Sequence, residues 1–197
     1  MKNVFICFSL FVFFACGGEQ NTPAAAPVSA NLAGFTVVDV PGTSAQQASK
    51  VSANDGNVQE AGMLLDNKKF GSWNTYYPDG KMKTMTNYTN GLKNGFHLAF
   101  NDRGQVSVHQ NYLDDQLHGR QVKYAFGSRI EEESHYNRGQ LDGVYKTYFK
   151  TKPGQVQKEI HYKNNLQHGK FVQYSEDGKV LLEYEYSEGK KVSGGVK

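Results

Sequence analysis

Short runs of alternating apolar and polar residues, separated by turns that contain Gly, fill most of the chain after residue 70. The stretch from Gly169 to Gly189, G-K-F-V-Q-Y-S-E-D-G-K-V-L-L-E-Y-E-Y-S-E-G, holds two such runs around an S-E-D-G turn. Successive side chains of a strand point to opposite faces, so a period of two predicts strands. Because Gly accepts the positive φ of hairpin loops, each pair of runs predicts a β-hairpin.

This hairpin pattern is written five times, in steps of 24, 24, 24 and 26 residues. The glycines before the first strand are Gly71, Gly95, Gly119, Gly143 and Gly169. The aromatic residues five positions later are Tyr76, Phe100, Tyr124, Tyr148 and Tyr174. The tyrosines that end the second strand are Tyr88, Tyr112, Tyr136, Tyr162 and Tyr186. A fixed period of this length predicts an all-β fold, an elongated single-layer antiparallel sheet or solenoid of consecutive hairpins.

The second strand of each copy indicates which face is buried. It begins with an apolar residue and ends with Tyr, and the positions of opposite parity are mostly polar. We therefore predict that the face that carries the column of apolar residues and the column of tyrosines packs on a core, while the other face meets water. The aromatic columns are interpreted as core packing, and an aromatic platform for sugars or bases is the alternative.

Both ends of the array differ from the repeats. Residues 47–70 form a degenerate leading copy, with Gln47 at the glycine position, Gly56 in the turn and Leu64 in the tyrosine column. Such a copy is expected to cap the array. The repeat domain is thus predicted to span residues 47–190, and the polar, basic residues 191–197 are expected to fray.

The N-terminus has the pattern of a targeting segment. Lys2 is followed by the apolar run Val4–Ala15, which is too short to cross a membrane and fits a secretory signal. The end at Ala15-Cys16 resembles a bacterial lipobox, so residues 1–16 are predicted to be a signal peptide and Cys16 to carry a lipid. An ordinary signal peptide is the alternative. Residues 17–46 are predicted to be a flexible tether with one possible short strand.

Composition narrows the chemistry. The 197 residues carry a formal net charge of +3 with both signs interspersed, which argues against a nucleic-acid binder. The two cysteines are Cys7 and Cys16, so the body of the chain holds no thiol nucleophile and no Cys-ligated metal. His135 and His161 share one column, but equivalent positions in neighbouring hairpins lie about 10 Å apart, too far for a shared metal. We therefore expect no catalytic residue, no metal and no cofactor.

Three segments of the first copy resemble a known repeat. They are G-x-W-x-x-Y-Y-P-D-G-K-M-K over residues 71–83, N-Y-x-N-G over residues 87–91 and K-N-G over residues 93–95. This pattern resembles the MORN-variant repeat of bacterial proteins labelled YwqK-type antitoxins. The resemblance implies an elongated antiparallel sheet of consecutive hairpins and no catalytic residue.

Together these observations predict a non-enzymatic, lipid-anchored protein of the bacterial cell envelope, at the outer membrane. Its repeat sheet would serve as an interaction or scaffold surface for a protein partner, with no nucleic acid and no small-molecule substrate. A neutraliser of a toxin, as the family label implies, is the first alternative. A glycan-binding protein or envelope enzyme is the second. Without a lipid on Cys16 the protein would be secreted.

Overall fold

The computed structural model describes residues 29–197 as one antiparallel sheet of 16 strands. The strands are β1 Thr36–Asp39, β2 Ala45–Val51, β3 Val58–Leu65, β4 Lys68–Tyr76, β5 Met82–Thr89, β6 Leu92–Phe100, β7 Val106–Leu113, β8 Gln116–Leu117, β9 Gly119–Ala125, β10 Arg129–Asn137, β11 Gln140–Leu141, β12 Gly143–Tyr148, β13 Val156–Lys163, β14 Leu166–Tyr174, β15 Val180–Ser187 and β16 Lys190–Val196. No helix occurs within these residues. The predicted signal peptide, Cys16 and the first part of the tether lie outside the described residues.

Each strand pairs with the next along the chain, so the sheet is a continuous meander without crossovers. Only the two-residue strands β8 and β11 lie off this path, and they pair with β7 and β10. At about 4.8 Å between strands, the sheet measures roughly 60 Å across its strands. The prediction of an all-β, single-layer array of consecutive hairpins is confirmed.

A one-residue shift of register recurs near the turn of every repeat hairpin. In the first copy Thr75 lies opposite Thr84, whereas Tyr76 lies opposite Met82, so Lys83 is the extra residue of a β-bulge. The equivalent shift occurs in the other four copies. Because one extra residue exchanges the two faces, Met82 lies on the face opposite to Tyr88. The prediction that both columns share one face is therefore wrong, since alternation alone does not count the bulge.

The repeat glycines form a second irregularity. We predicted that each glycine precedes the first strand, but β4, β6 and β14 run through Gly71, Gly95 and Gly169. All five have positive φ, up to 117° at Gly143, and the pairing with the preceding strand shifts beside them. Glycine is the residue that adopts such a backbone without strain, which explains its place in every copy.

Buried hydrophobic side chains of the described sheet form a cluster at its N-terminal end, whereas Leu92, Val122, Ile160 and Val172 are buried outside that cluster. Ala48, Leu64 and Trp73 are almost fully buried, and Leu32 and Phe35 pack against them. The Phe35 and Trp73 rings meet edge to face, with 5.9 Å between their centroids. The chain is therefore packed from residue 30 onward, which differs from the tether predicted through residue 46. Apolar side chains of that segment cover an otherwise open indole ring.

The C-terminal residues also differ from the prediction. Lys190–Val196 form β16, which is hydrogen-bonded to β15 along its length, instead of a frayed tail. Gly194 makes this pairing possible, because a Cβ there would lie 2.1 Å from the carbonyl oxygen of Glu183.

Candidate interaction surface

The five tyrosines that end the second strands all lie opposite the five repeat glycines. The pairs are Tyr88 with Gly71, Tyr112 with Gly95, Tyr136 with Gly119, Tyr162 with Gly143 and Tyr186 with Gly169. Glycine leaves space on the sheet that a cross-strand aromatic ring can cover. We call the side that carries this row the tyrosine face. Within residues 29–197 no second layer covers this face beyond the N-terminal core, and all five tyrosines are half-buried instead of enclosed.

Further rings extend this row on the tyrosine face. Tyr145 meets Tyr162 edge to face at 6.3 Å between centroids. Phe171 lies 5.8 Å from Tyr184 and 6.4 Å from Tyr186. Edge-to-face and tilted pairs at these distances are favourable beyond the area that they bury. The rings therefore hold one another in fixed orientations although the face is open.

Lysines lie over the rings at both ends of the row. The Lys69 ammonium is 4.0 Å from the Trp73 ring, and the Lys191 ammonium is 4.2 Å from the Tyr184 ring. Lys93 lies opposite Tyr88 and has its ammonium 4.9 Å from the next ring of the row, Tyr112. Ammonium groups over aromatic rings are attracted by the ring quadrupole. The tyrosine face thus combines aromatic area with positive charge.

A carboxylate organises the middle of the tyrosine face. The Tyr145 hydroxyl donates a hydrogen bond to Glu132 at 3.0 Å, and the Lys123 ammonium lies 2.9 Å from the same carboxylate. Burial, with the nearby Glu132 charge, raises the pKa of Tyr145 to about 12. The phenol is therefore a neutral hydrogen-bond donor at physiological pH, which suits a positioning role instead of base chemistry.

A histidine lies in the first half of the same face. Nδ1 of His97 is 2.7 Å from the hydroxyl of the buried Thr86, and its ring meets Tyr112 edge to face at 6.2 Å. Burial, with a smaller effect from the Lys93 charge, lowers the pKa of His97. The imidazole is therefore neutral at physiological pH.

The opposite face carries the other aromatic column. Each first-strand aromatic lies opposite the apolar residue that opens the second strand, and these pairs lie next to the turns. They are Tyr76 with Met82, Phe100 with Val106, Tyr124 with Ile130, Tyr148 with Val156 and Tyr174 with Val180. Toward the C-terminal half this face is charged, with Lys146 3.1 Å from Glu159 and Arg120 paired with Glu133. The two faces therefore differ in chemistry.

The candidate chemical groups do not converge. Nδ1 of His135 lies 3.1 Å from the Val144 carbonyl oxygen, and Nε2 of His161 lies 3.0 Å from Glu159. Within residues 29–197 no cluster of His, Cys, Asp and Glu could hold a metal ion. The same part of the chain contains no helix long and apolar enough to cross a membrane.

Sequence reasoning missed two features. The Trp73 core, in which Phe35 packs against the indole ring, was not expected. The turn residue Phe126 was not singled out, although an aromatic residue there replaces Pro78, Asp102 and Glu176 of other copies. Comparing the turns copy by copy would have singled it out.

Comparisons with known proteins bear on the repeats. The profile of the family described as MORN repeat variant matches residues 71–90 and residues 167–188, which contain the first and last repeat hairpins. A search of curated proteins gives no match. A solved structure described as the crystal structure of TarM aligns at 9% identity with a TM-score of 0.29. That alignment covers 68% of this chain and 22% of the other, so this chain spans less than a quarter of that protein.

Proposed function

We propose that this chain is a non-enzymatic protein of the bacterial envelope, anchored by a lipid on Cys16. In this proposal its sheet of MORN-variant hairpins is a scaffold surface for a protein partner. The observation that carries the proposal is the tyrosine face, a long row of half-buried rings with lysines beside them. The described residues, 29–197, place no second layer over most of this row. Aromatic residues are enriched at protein interfaces, where rigid rings give contact area at low entropic cost.

The anchor rests on the sequence at residues 1–16. In this proposal a lipid on Cys16 holds the sheet at the membrane, and residues 17–29 separate the two. The outer membrane is the expected location.

Pull-down from native membranes tests the proposal. A tagged full-length chain should co-purify with one dominant protein, and Cys16→Ala should move the chain to the soluble fraction and lose that protein. Unchanged membrane association of the Cys16→Ala chain would exclude the lipid anchor. If the partner were a toxin whose activity the chain suppresses, the scaffold would be of the antitoxin kind.

A second variant tests which surface is used. Tyr136→Ser removes a central ring from the tyrosine face, whereas Tyr124→Ser removes one from the opposite face of the same hairpin. The proposal expects partner recovery to fall in the first variant and to persist in the second. Equal recovery in both, with both chains folded, would contradict the assignment to the tyrosine face.

A further inference from the structure

Two adjacent turns depart from the chemistry of the other repeat turns. The turns of copies one, two and five contain P-D-G, D-R-G and E-D-G, and each holds at least one carboxylate. Copy three has A-F-G-S-R between Tyr124 and Ile130, and copy four has F-K-T-K-P-G-Q between Tyr148 and Val156. Neither contains an acidic residue. Since these hairpins are neighbours in the sheet, the two unusual turns lie side by side.

A groove of about 180 Å³ lies between these two turns. Its apolar lining comes from Ala125, Phe126 and Ile130 of one hairpin and from Tyr148 and Phe149 of the next. Phe126 is 59% exposed, although large aromatic residues are usually covered. The groove therefore has an apolar floor that is exposed to solvent.

Positive charge surrounds this groove. The Arg103 guanidinium lies 4.6 Å from the centre of the Phe126 ring. Arg129 donates from Nε to the Phe126 carbonyl oxygen at 3.1 Å and from Nη1 to the Lys150 carbonyl oxygen at 3.3 Å. Within residues 29–197 neither arginine forms an ion pair with a carboxylate. Their charges are therefore held at the groove without being neutralised there.

The acidic groups near the groove are already engaged. Glu131 lies 3.4 Å from the Lys150 ammonium. Farther along, the Glu176 carboxylate accepts a hydrogen bond from the Thr151 hydroxyl at 2.8 Å, and Lys152 donates to the Glu176 carbonyl oxygen. These contacts join the fourth turn to the fifth. Among the residues that line the groove, Lys150 is balanced by Glu131, and Arg129 leaves a net positive charge.

We infer that this groove is a docking site for an acidic peptide segment that carries an apolar or aromatic anchor side chain. The anchor fills the space between Phe126 and Phe149, while flanking carboxylates pair with Arg103 and Arg129. Arginine forks suit carboxylates, and apolar anchors in pockets dominate small interfaces. The inference deepens the proposed function, on which it rests, by naming a place and a partner chemistry.

Fluorescence anisotropy with the full-length chain tests the inference. The probe is the fluorescein-labelled peptide EEDLFDEE, and the comparison peptide EEDSSDEE keeps the charge but lacks the anchor. The first should bind with an affinity that falls as salt rises, and the second should bind about tenfold more weakly. Phe126→Ser and Arg103→Gln should each weaken the first peptide about fivefold to tenfold.

A matched pair of lysine variants separates this site from general charge attraction. Lys150 and Lys179 are both 81% exposed in turns, and each lies near a carboxylate, Glu131 and Asp177. Lys150→Gln should weaken the probe, and Lys179→Gln should not. Equal effects of the two variants, or equal binding of both peptides, would overturn the inference, as would failure of the first peptide to bind. Peptide binding measured by anisotropy does not depend on Cys16 or on a membrane. A failure of the peptide to bind is therefore distinguishable from a failure of the pull-down.

Discussion

Gly62 is a position where one added methyl group should be costly. A Cβ there would lie 2.3 Å from Cδ2 of Trp73 and 2.5 Å from Cε2 and Cγ. The backbone of Gly62 lies outside the positive-φ region, so Ala is strained only by this contact. The Gly62→Ala change therefore tests the close approach of the indole ring to β3, separately from backbone conformation.

The expected loss of stability follows from the packing and the hydrogen bond that the Trp73 side chain would lose. Trp73 is 2% exposed, and its Nε1 donates a 2.8 Å hydrogen bond to the Met63 carbonyl oxygen. Overpacking costs about 1–3 kcal/mol, and losing an entire buried Trp costs about 3–5 kcal/mol. A lost hydrogen bond adds about 1 kcal/mol, and the entropic gain of Ala over Gly offsets about 0.4–1 kcal/mol. We expect Gly62→Ala to lower the free energy of unfolding by about 1–4 kcal/mol.

The single tryptophan makes the assay specific. Trp73 is the only tryptophan of the chain, so its fluorescence during urea unfolding reports on this core alone. Gly195→Ala is the matched control, because that glycine also lies outside the positive-φ region and its Cβ would meet nothing within 4 Å. In a Trp73→Leu background, followed by circular dichroism, Gly62→Ala should cost much less. An unchanged midpoint for Gly62→Ala, or the same cost with and without the indole, would refute the reasoning.

Three further predictions follow from the same geometry. Because the pKa of His97 is lowered in the folded state, the unfolded chain binds more protons at acidic pH, and stability should fall as pH drops below about 6.5. The difference between the urea midpoints at pH 7 and pH 5 should be smaller in the His97→Gln variant than in the unmodified chain. Tyr136→Ala should cost about 1–3 kcal/mol by chemical unfolding, less than for an enclosed ring because Tyr136 is half-buried, and a cost near 5 kcal/mol would require a cover over the sheet. Gly143→Ala should lower the thermal unfolding midpoint more than Gly139→Ala does. Both glycines have positive φ, but only at Gly143 would a Cβ lie 3.0 Å from Cβ of His135. Equal decreases in the midpoint would mean that this contact has no effect.

The sequence predicted the hairpin order because Gly and Tyr recur with one period, and each pair of columns proved to be a cross-strand pair. It did not predict the faces, because the bulge at Lys83 and its equivalents leaves no mark in the alternation of side chains. The Trp73 core was missed for a different reason. Phe35 precedes the array, and its contact with Trp73 depends on how residues 30–35 cross the sheet, which no local pattern encodes.

The groove at Phe126 shows a further limit of reasoning from repeats. Aligning copies emphasises what they share, whereas this site consists of the residues by which copies three and four differ. The tyrosine columns were predicted, but the openness of the tyrosine face required knowing that the part of the chain described by the structure forms no second layer over most of it.

The pairing of each tyrosine with a glycine of its own hairpin has a consequence for how the protein changes in length. Tyr112 has Gly95 as its partner within one copy, and its other neighbour, Leu117, belongs to the connection to the next copy. Removing residues 95–118 would join Asn94 to Gly119 and leave every remaining tyrosine with a glycine partner. Genes of this design can therefore gain or lose whole units by recombination in steps of 24 codons, and each step would lengthen or shorten the sheet by about 10 Å.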